Sequence, residues 1–301
     1  MREYALQRFK GFNSNILLWG RSGAGKSGTL SYVVAWAHEN EWVVINVPRA
    51  RKFINGEAII ERHINGLYMQ KELAKEFLQD LNVSNQQKFE EIKVDLDLYG
   101  KFDMTGISDD EPEPCPRIWD NQRKVWSDAW KQHLTDFELK EIAENTPKMM
   151  ERISDHLKEP KTLSEIAEYG INNSDQAISA IAEILNQLYN QDQTNVLVAI
   201  DGYSDWFRPS MYKSFRYPSK RYFIPPYDIA LPRLLMKFDG HFIRNGFKLC
   251  TSTQESYFGH LFTPDLIDSP EGFNAEMKPL HLNEFRYAIN YFRMTQRMLL
   301  E

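Results

Sequence analysis

Apolar positions along the chain alternate between two periods. Ile16-Leu17-Leu18-Trp19 is a short apolar run that reads as a strand. It is followed by a glycine-rich stretch, and then Leu30, Val33, Val34, Trp36 and Ala37 recur at helical spacing up to about Asn40. Trp42-Val43-Val44-Ile45-Asn46-Val47 predicts a buried strand, stopped by Pro48. Strand, glycine loop, helix and strand within so few residues predict a βαβ unit and a parallel sheet, hence an α/β fold. Further on, residues 57–81 and 120–158 carry a helical pattern, the second of them polar. Within 162–190 one helix is expected, over 177–189, from Ile178, Ile181, Ile184, Leu185 and Leu188. Residues 195–200 form a continuous apolar run that ends in Asp201-Gly202. The pattern then predicts irregular structure over 206–232, a helix over 231–245 and a strand over 248–251. A last strand is expected over 277–282, and a helix capped by Asn283 over 284–299.

Composition narrows the function classes. The 301 residues are 42% hydrophobic and 26% charged, ordinary for a folded chain, so disorder is not the dominant state. Lys plus Arg number 36 against 42 for Asp plus Glu, a formal net charge of −6 that disfavours a generally basic nucleic-acid binder. Cys115 and Cys250 are the two cysteines, far apart in sequence and outside any C-x-x-C pattern, which excludes a disulfide framework and a cysteine zinc site. His38, His63 and His133 lack metal-ligand spacing. The apolar run at 196–200 is far too short to span a membrane, and no targeting segment is visible ahead of Ile16, so one is either not needed, removed, or outside this sequence. The break at residues 95–117, with its acidic Asp109-Asp110-Glu111-Pro112-Glu113-Pro114 patch, reads as a solvated surface insertion.

The chemistry concentrates in Gly20-Arg21-Ser22-Gly23-Ala24-Gly25-Lys26-Ser27, a full G-x4-G-K-S phosphate loop between a strand and a helix. Glycines 20, 23 and 25 let successive backbone N–H groups turn toward phosphate oxygens, and the helix aims its positive end at the same point. Lys26 supplies a charge for the β- and γ-phosphates, and Ser27 a hydroxyl for Mg2+. Ser22, Ala24 and Gly28 complete the expected nucleotide-binding set. The strand ending in Asp201 is placed to order the Mg2+ shell, with Asp201 expected to act through water. Gly202 stands where many hydrolysing ATPases of this broad class carry a Glu that orients water. Asp205 and Gln254 are the candidates for catalytic work, Gln254 also as a γ-phosphate sensor and nucleotide contact. No Asn-Lys-x-Asp guanine signature is present, and no arginine finger can be assigned.

Residues 206–223 hold five basic residues, seven aromatics and no acid. Two readings are open. Arg208, Lys213, Arg216, Tyr217, Lys220 and Arg221 form a partner or RNA surface, or the aromatics pack back onto the protein's own core.

These segments, taken in order, resemble the death-associated protein 3 family of the mitochondrial small ribosomal subunit. The likeness rests on the Leu18-to-Ser27 loop, the Trp42-to-Pro48 strand, Leu163-Ser164-Glu165-Ile166 with Gly170-Ile171, Leu197-to-Gly202, Thr251-Ser252-Thr253-Gln254 and Phe285 through Tyr291. The resemblance implies a P-loop NTPase core of the AAA+/STAND type, a parallel sheet flanked by helices. Residues 1–94 and 161–301 are then the two parts of that core, with little or no C-terminal lid. Residues 95–160 are a partly helical insertion. It further implies a structural protein of the small-subunit head in the mitochondrial matrix. Such a protein would contact other ribosomal proteins, local rRNA and an intersubunit bridge to the large subunit, with no membrane. GTP or GDP, alternatively ATP or ADP, would be bound with Mg2+ as a fold-stabilising cofactor, with at most slow hydrolysis because Gly202 replaces the Glu. The alternative is an active ATPase or GTPase working as an AAA-like switch or motor. A kinase is disfavoured, because no compact lid with clustered arginines follows the core.

Overall fold

The computed structural model describes residues 15–62, 67–101, 152–214, 222–236, 243–253, 273–279, 281, 283–284 and 286–287. Within them the chain forms β1 (Asn15–Trp19), α1 (Lys26–Glu39), β2 (Val43–Val47), β3 (Glu61–Arg62) and β4 (Tyr68–Met69). Then follow α2 (Lys71–Ser84), α3 (Gln86–Glu91), α4 (Ile153–His156), α5 (Leu163–Asn172) and α6 (Ala177–Asn190). β5 (Val196–Ile200), β6 (Lys213–Ser214), β7 (Tyr222–Phe223), α7 (Ala230–Met236), β8 (Gly246–Thr251) and β9 (Phe273–Glu276) complete the order. The main sheet has five strands in the order β2-β5-β8-β1-β9, every neighbouring pair parallel. β3–β4 and β6–β7 are small antiparallel pairs.

The period of two along β5 explains the layers. Val196, Val198 and Ile200 join Leu17, Val43 and Ile45 in a core shared with residues of α2, α5 and α6. Leu197 and Ala199 face the other way, joining Leu18, Val44, Phe247 and Leu249 under Leu30 and Ala37 of α1. A central parallel strand covered on both faces must be apolar throughout, which is why residues 196–200 read as an unbroken run. All five are buried.

Several sequence expectations change. The 57–81 pattern is not one helix: β3 and β4 occupy its first part, and α2 runs later, over Lys71–Ser84. Two helices, not one, fill 162–190, since α5 precedes α6. The helix expected over 231–245 is α7, which spans Ala230–Met236, and residues 243–245 are not helical. Two buried side chains reach its described carbonyls: Lys248 Nζ donates to Leu235 O and the Tyr203 hydroxyl to Met236 O, and residues 237–242 lie outside the described residues. The last strand is Phe273–Glu276 and not 277–282. Met277 N still donates to Trp19 O at 2.7 Å, but the chain then leaves the sheet toward Pro279, which has no N–H for a ladder bond. The acidic patch and most of the helical pattern at 120–158 lie outside the described residues.

Candidate functional site

Trp19 ends β1, and the chain must turn into α1 within six residues. Gly20 (φ +136°), Gly23 (φ +80°) and Gly25 (φ +88°) make that turn in backbone conformations that side chains resist. At Gly20 the reason is also spatial, because an added Cβ would lie 2.3 Å from Met277 O. The loop is otherwise open: Arg21, Ser22, Gly23, Gly25, Ser27 and Gly28 are exposed, and Gly20, Ala24 and Lys26 are buried. Gly25 precedes α1 and brings no capping side chain to its N–H groups. A helix start with free donors and a positive end is where an anion is stabilised.

Lys26 is 7% exposed, and its Nζ donates to Gly20 O and Arg21 O, both at 2.9 Å. Burial pushes the ammonium below its ordinary value, and the nearby Asp201 carboxylate partly opposes that shift. The charge is thus held at the centre of the loop by two neutral carbonyls, partners that a phosphate oxygen outcompetes.

Across the loop, Ser27 Oγ donates to Asp201 Oδ1 at 3.0 Å, joining positions 174 residues apart. Asp201 stands at the end of β5, and the β2–β5 ladder continues into its turn. Asp201 N donates to Val47 O at 2.9 Å, and Ala50 N donates to Asp201 O at 2.8 Å. Trp206 Nε1 donates to Ala50 O at 2.8 Å and the indole stacks on Phe53, so the turn after Asp201 is fastened to the end of β2. Sequence reasoning missed Thr251. Its hydroxyl donates to Asp201 Oδ1 and accepts from Gly202 N at 3.0 Å. The signal was a threonine at the very end of the strand neighbouring β5.

Mg2+ fits this donor set. A serine hydroxyl that gives its proton to Asp201 keeps its lone pairs for a cation. Ser27 and Asp201 would hold the ion, with phosphate oxygens and waters supplying the remaining ligands Mg2+ requires. Among the described residues no cluster of three or more His, Cys, Asp or Glu offers a metal cage, so a bound nucleotide would have to complete the shell.

Asp205 lies in the same turn and is 6% exposed. Its Oδ1 accepts from Thr253 Oγ1 at 2.5 Å and lies 3.9 Å from Arg208 Nη1. Thr253 is also bound to Ser204, whose Oγ accepts from Thr253 N at 2.8 Å. Arg208 is therefore engaged with Asp205 at the site's edge, whereas Lys213 is exposed and sits 5.5 Å from the Phe223 ring centroid. Trp206, Phe207 and Tyr212 are buried, so these aromatics of the basic segment pack on the protein itself. Gln254, Arg216, Tyr217, Lys220 and Arg221 lie outside the described residues.

With this geometry in view, comparison with known families is decisive. Residues 5–257 match the family described as mitochondrial ribosomal death-associated protein 3. The chain belongs to that family. As a member of the death-associated protein 3 family it is a mitochondrial small-subunit ribosomal protein, ribosome-bound in the matrix. None of its described helices is long and apolar enough to cross a membrane.

Proposed function

We propose that this protein is a structural component of the small-subunit head that holds a purine nucleotide, GTP or GDP in the family's manner or ATP or ADP otherwise, with Mg2+ as a stiffening ligand. The observation that carries the reading is the convergence of Lys26 and Ser27 with Asp201, 174 residues beyond Ser27 in sequence, at one open glycine loop. Phosphates would lie on the loop N–H groups and Lys26, and Mg2+ on Ser27 and Asp201. The position of β8 between β1 and β5 supports a core of the additional-strand P-loop type, to which AAA+ and STAND proteins belong. The core then comprises residues 1–94 and 161–301, with 95–160 as an insertion. Small-subunit proteins are its partners, with local rRNA and a bridge to the large subunit as further contacts.

Three features support holding over turnover. Position 202 has left-handed backbone, where a glutamate would be strained. Asp205 is engaged by Thr253 and Arg208. The segment after β2, Pro48 through Gly56, contains no acid. A ligand bound only by the folded state adds about 4 kcal/mol of stability at a thousandfold excess over its dissociation constant.

Lys26→Ala is expected to abolish nucleotide retention and to lower the melting temperature of protein purified with its nucleotide. Unchanged nucleotide content and melting would refute the loop assignment. Multiple-turnover phosphate release near ~1 per second, a rate ordinary enzymes reach, lost in Lys26→Ala, would replace this reading with the switch or motor alternative.

A further inference from the structure

Asp201 receives two hydroxyl donors, and they differ in kind. Ser27 is exposed and stands on the loop. Thr251 is 1% exposed and stands behind the carboxylate, on the strand that separates β1 from β5. The β5–β8 register pairs Ile200 with Cys250, so Thr251 is the next rung, directly beside Asp201. Its hydroxyl is fully directed: the proton goes to Asp201 Oδ1 and a lone pair takes Gly202 N–H. One side chain therefore fixes both the carboxylate's rotation and the left-handed turn that follows it. Both donors use Oδ1, which leaves Oδ2 as the carboxylate oxygen without a donor among the described residues.

The same chemistry recurs one step on. Thr253 donates to Asp205 Oδ1 at 2.5 Å, so two Thr–Asp rungs join the ends of β5 and β8. The first rung touches Ser27. The second is closed by Arg208 and Ser204.

We propose that Thr251 is the positioning residue that couples Mg2+ to nucleotide binding, by holding Asp201 rotated so that it orders the metal's water shell beside Ser27. The proposal rests on the nucleotide and Mg2+ reading above. Thr251 does not touch the ligand; it acts through Asp201. Residues that orient metal-shell groups in this way typically change metal affinity by about 10- to 100-fold when removed.

The test measures the dissociation constant of methylanthraniloyl-GDP and methylanthraniloyl-ADP on nucleotide-free full-length protein, in Mg2+ and in EDTA. Wild type is expected to bind one of them more tightly in Mg2+. Thr251→Val is expected to bind as wild type does in EDTA and to lose about tenfold or more of the Mg2+ gain. Thr251→Ser should restore it. Thr253→Val, which cuts the matching bond to Asp205, should leave the gain intact. Should Thr251→Val not fold, Thr251→Cys keeps a similar volume with a weaker donor and takes its place in the comparison. A full Mg2+ gain in the folded Thr251 variant overturns the proposal, as does an equal loss in Thr253→Val, which would mark a merely structural effect. Absence of wild-type binding to both probes refutes the nucleotide reading itself, and the proposal falls with it.

Discussion

At position 202 one torsion limits what the site can do. Gly202 has φ +80°, and a Cβ there would lie 3.1 Å from Thr253 Cγ2 and 3.2 Å from Asp205 Oδ2. A side chain at such a backbone costs about 1–2 kcal/mol before any crowding. The glycine after Asp201 was legible in the sequence, but its reason was not. It depends on Thr251 and Thr253, residues about 50 positions away that only the β5–β8 pairing brings alongside. Tyr203, the next residue, works on the other side of the turn. It is fully buried, its hydroxyl donates to Met236 O, and Lys248 Nζ sits 5.4 Å from its ring centroid. Tyr203→Phe keeps the ring and removes the hydroxyl that donates to Met236 O. The expected cost is about 1–3 kcal/mol, read from chemical denaturation. The Mg2+ gain in nucleotide binding should not change, because Asp201 keeps both its donors. An unaltered stability would show that another donor takes over Met236 O.

Among the elements, α6 carries the most unexpected load. Its apolar face was legible from Ile178 to Leu188, but Ser179, Glu183 and Gln187 are buried too. They receive the chain on both sides of residues 102–151. Gln187 exchanges two bonds with the Asp95 backbone, Glu183 Oε2 accepts from Gly100 N at 3.2 Å, and Ser179 Oγ accepts from Ile153 N at 2.9 Å. Arg152 Nη1 closes the clasp on Gly100 O at 2.7 Å. Burial raises the Glu183 carboxyl above its ordinary 4.5, outweighing the opposing bonds from Gln187, the Gly100 N–H and Asn186 and the charge of Arg152. The folded state then holds this proton more tightly than the unfolded chain. Stability from this group is complete below about pH 4.5 and declines as pH rises through the raised folded value. Glu183→Gln removes the titration. Measured by denaturant unfolding, wild type should lose ground to the variant as pH rises above 4.5; parallel pH profiles would contradict the burial argument. Why other elements were misread is equally local. α5 was missed although Thr162-Leu163-Ser164-Glu165 is a capping sequence, and Thr162 Oγ1 does accept from Glu165 N. The 57–81 pattern was read through Asn65-Gly66, a turn signal that outranks apolar spacing.

At the scale of the whole molecule, the parallel sheet and the glycine turn between β1 and α1 were legible because both rest on short contiguous patterns. The pairing of Asp201 with Thr251, and of Asp205 with Thr253, was not, since it joins two strands through the topology alone. The same distinction applies to assembly. A chain of net charge −6 meets rRNA phosphates with unfavourable long-range electrostatics, screened beyond about 8 Å at physiological salt. An RNA contact of the kind proposed would have to rest on a local concentration of positive charge, and residues 206–223, with five basic residues and no acid, are a segment that supplies one. Its composition separates by role. Trp206, Phe207 and Tyr212 are buried and Arg208 faces Asp205, which assigns them to the protein's own packing. Lys213 is exposed at the start of the β6–β7 pair, and Arg216, Lys220 and Arg221 lie between its two strands in sequence. Reversing Arg216, Lys220 and Arg221 to Glu should weaken co-sedimentation with the small subunit while sparing nucleotide binding and melting temperature. If these cations neutralise phosphates, the slope of log affinity against log salt should also become shallower by about 2–3. A weaker association with an unchanged slope would instead place this edge against a ribosomal protein, and unchanged association would remove it from the interface altogether.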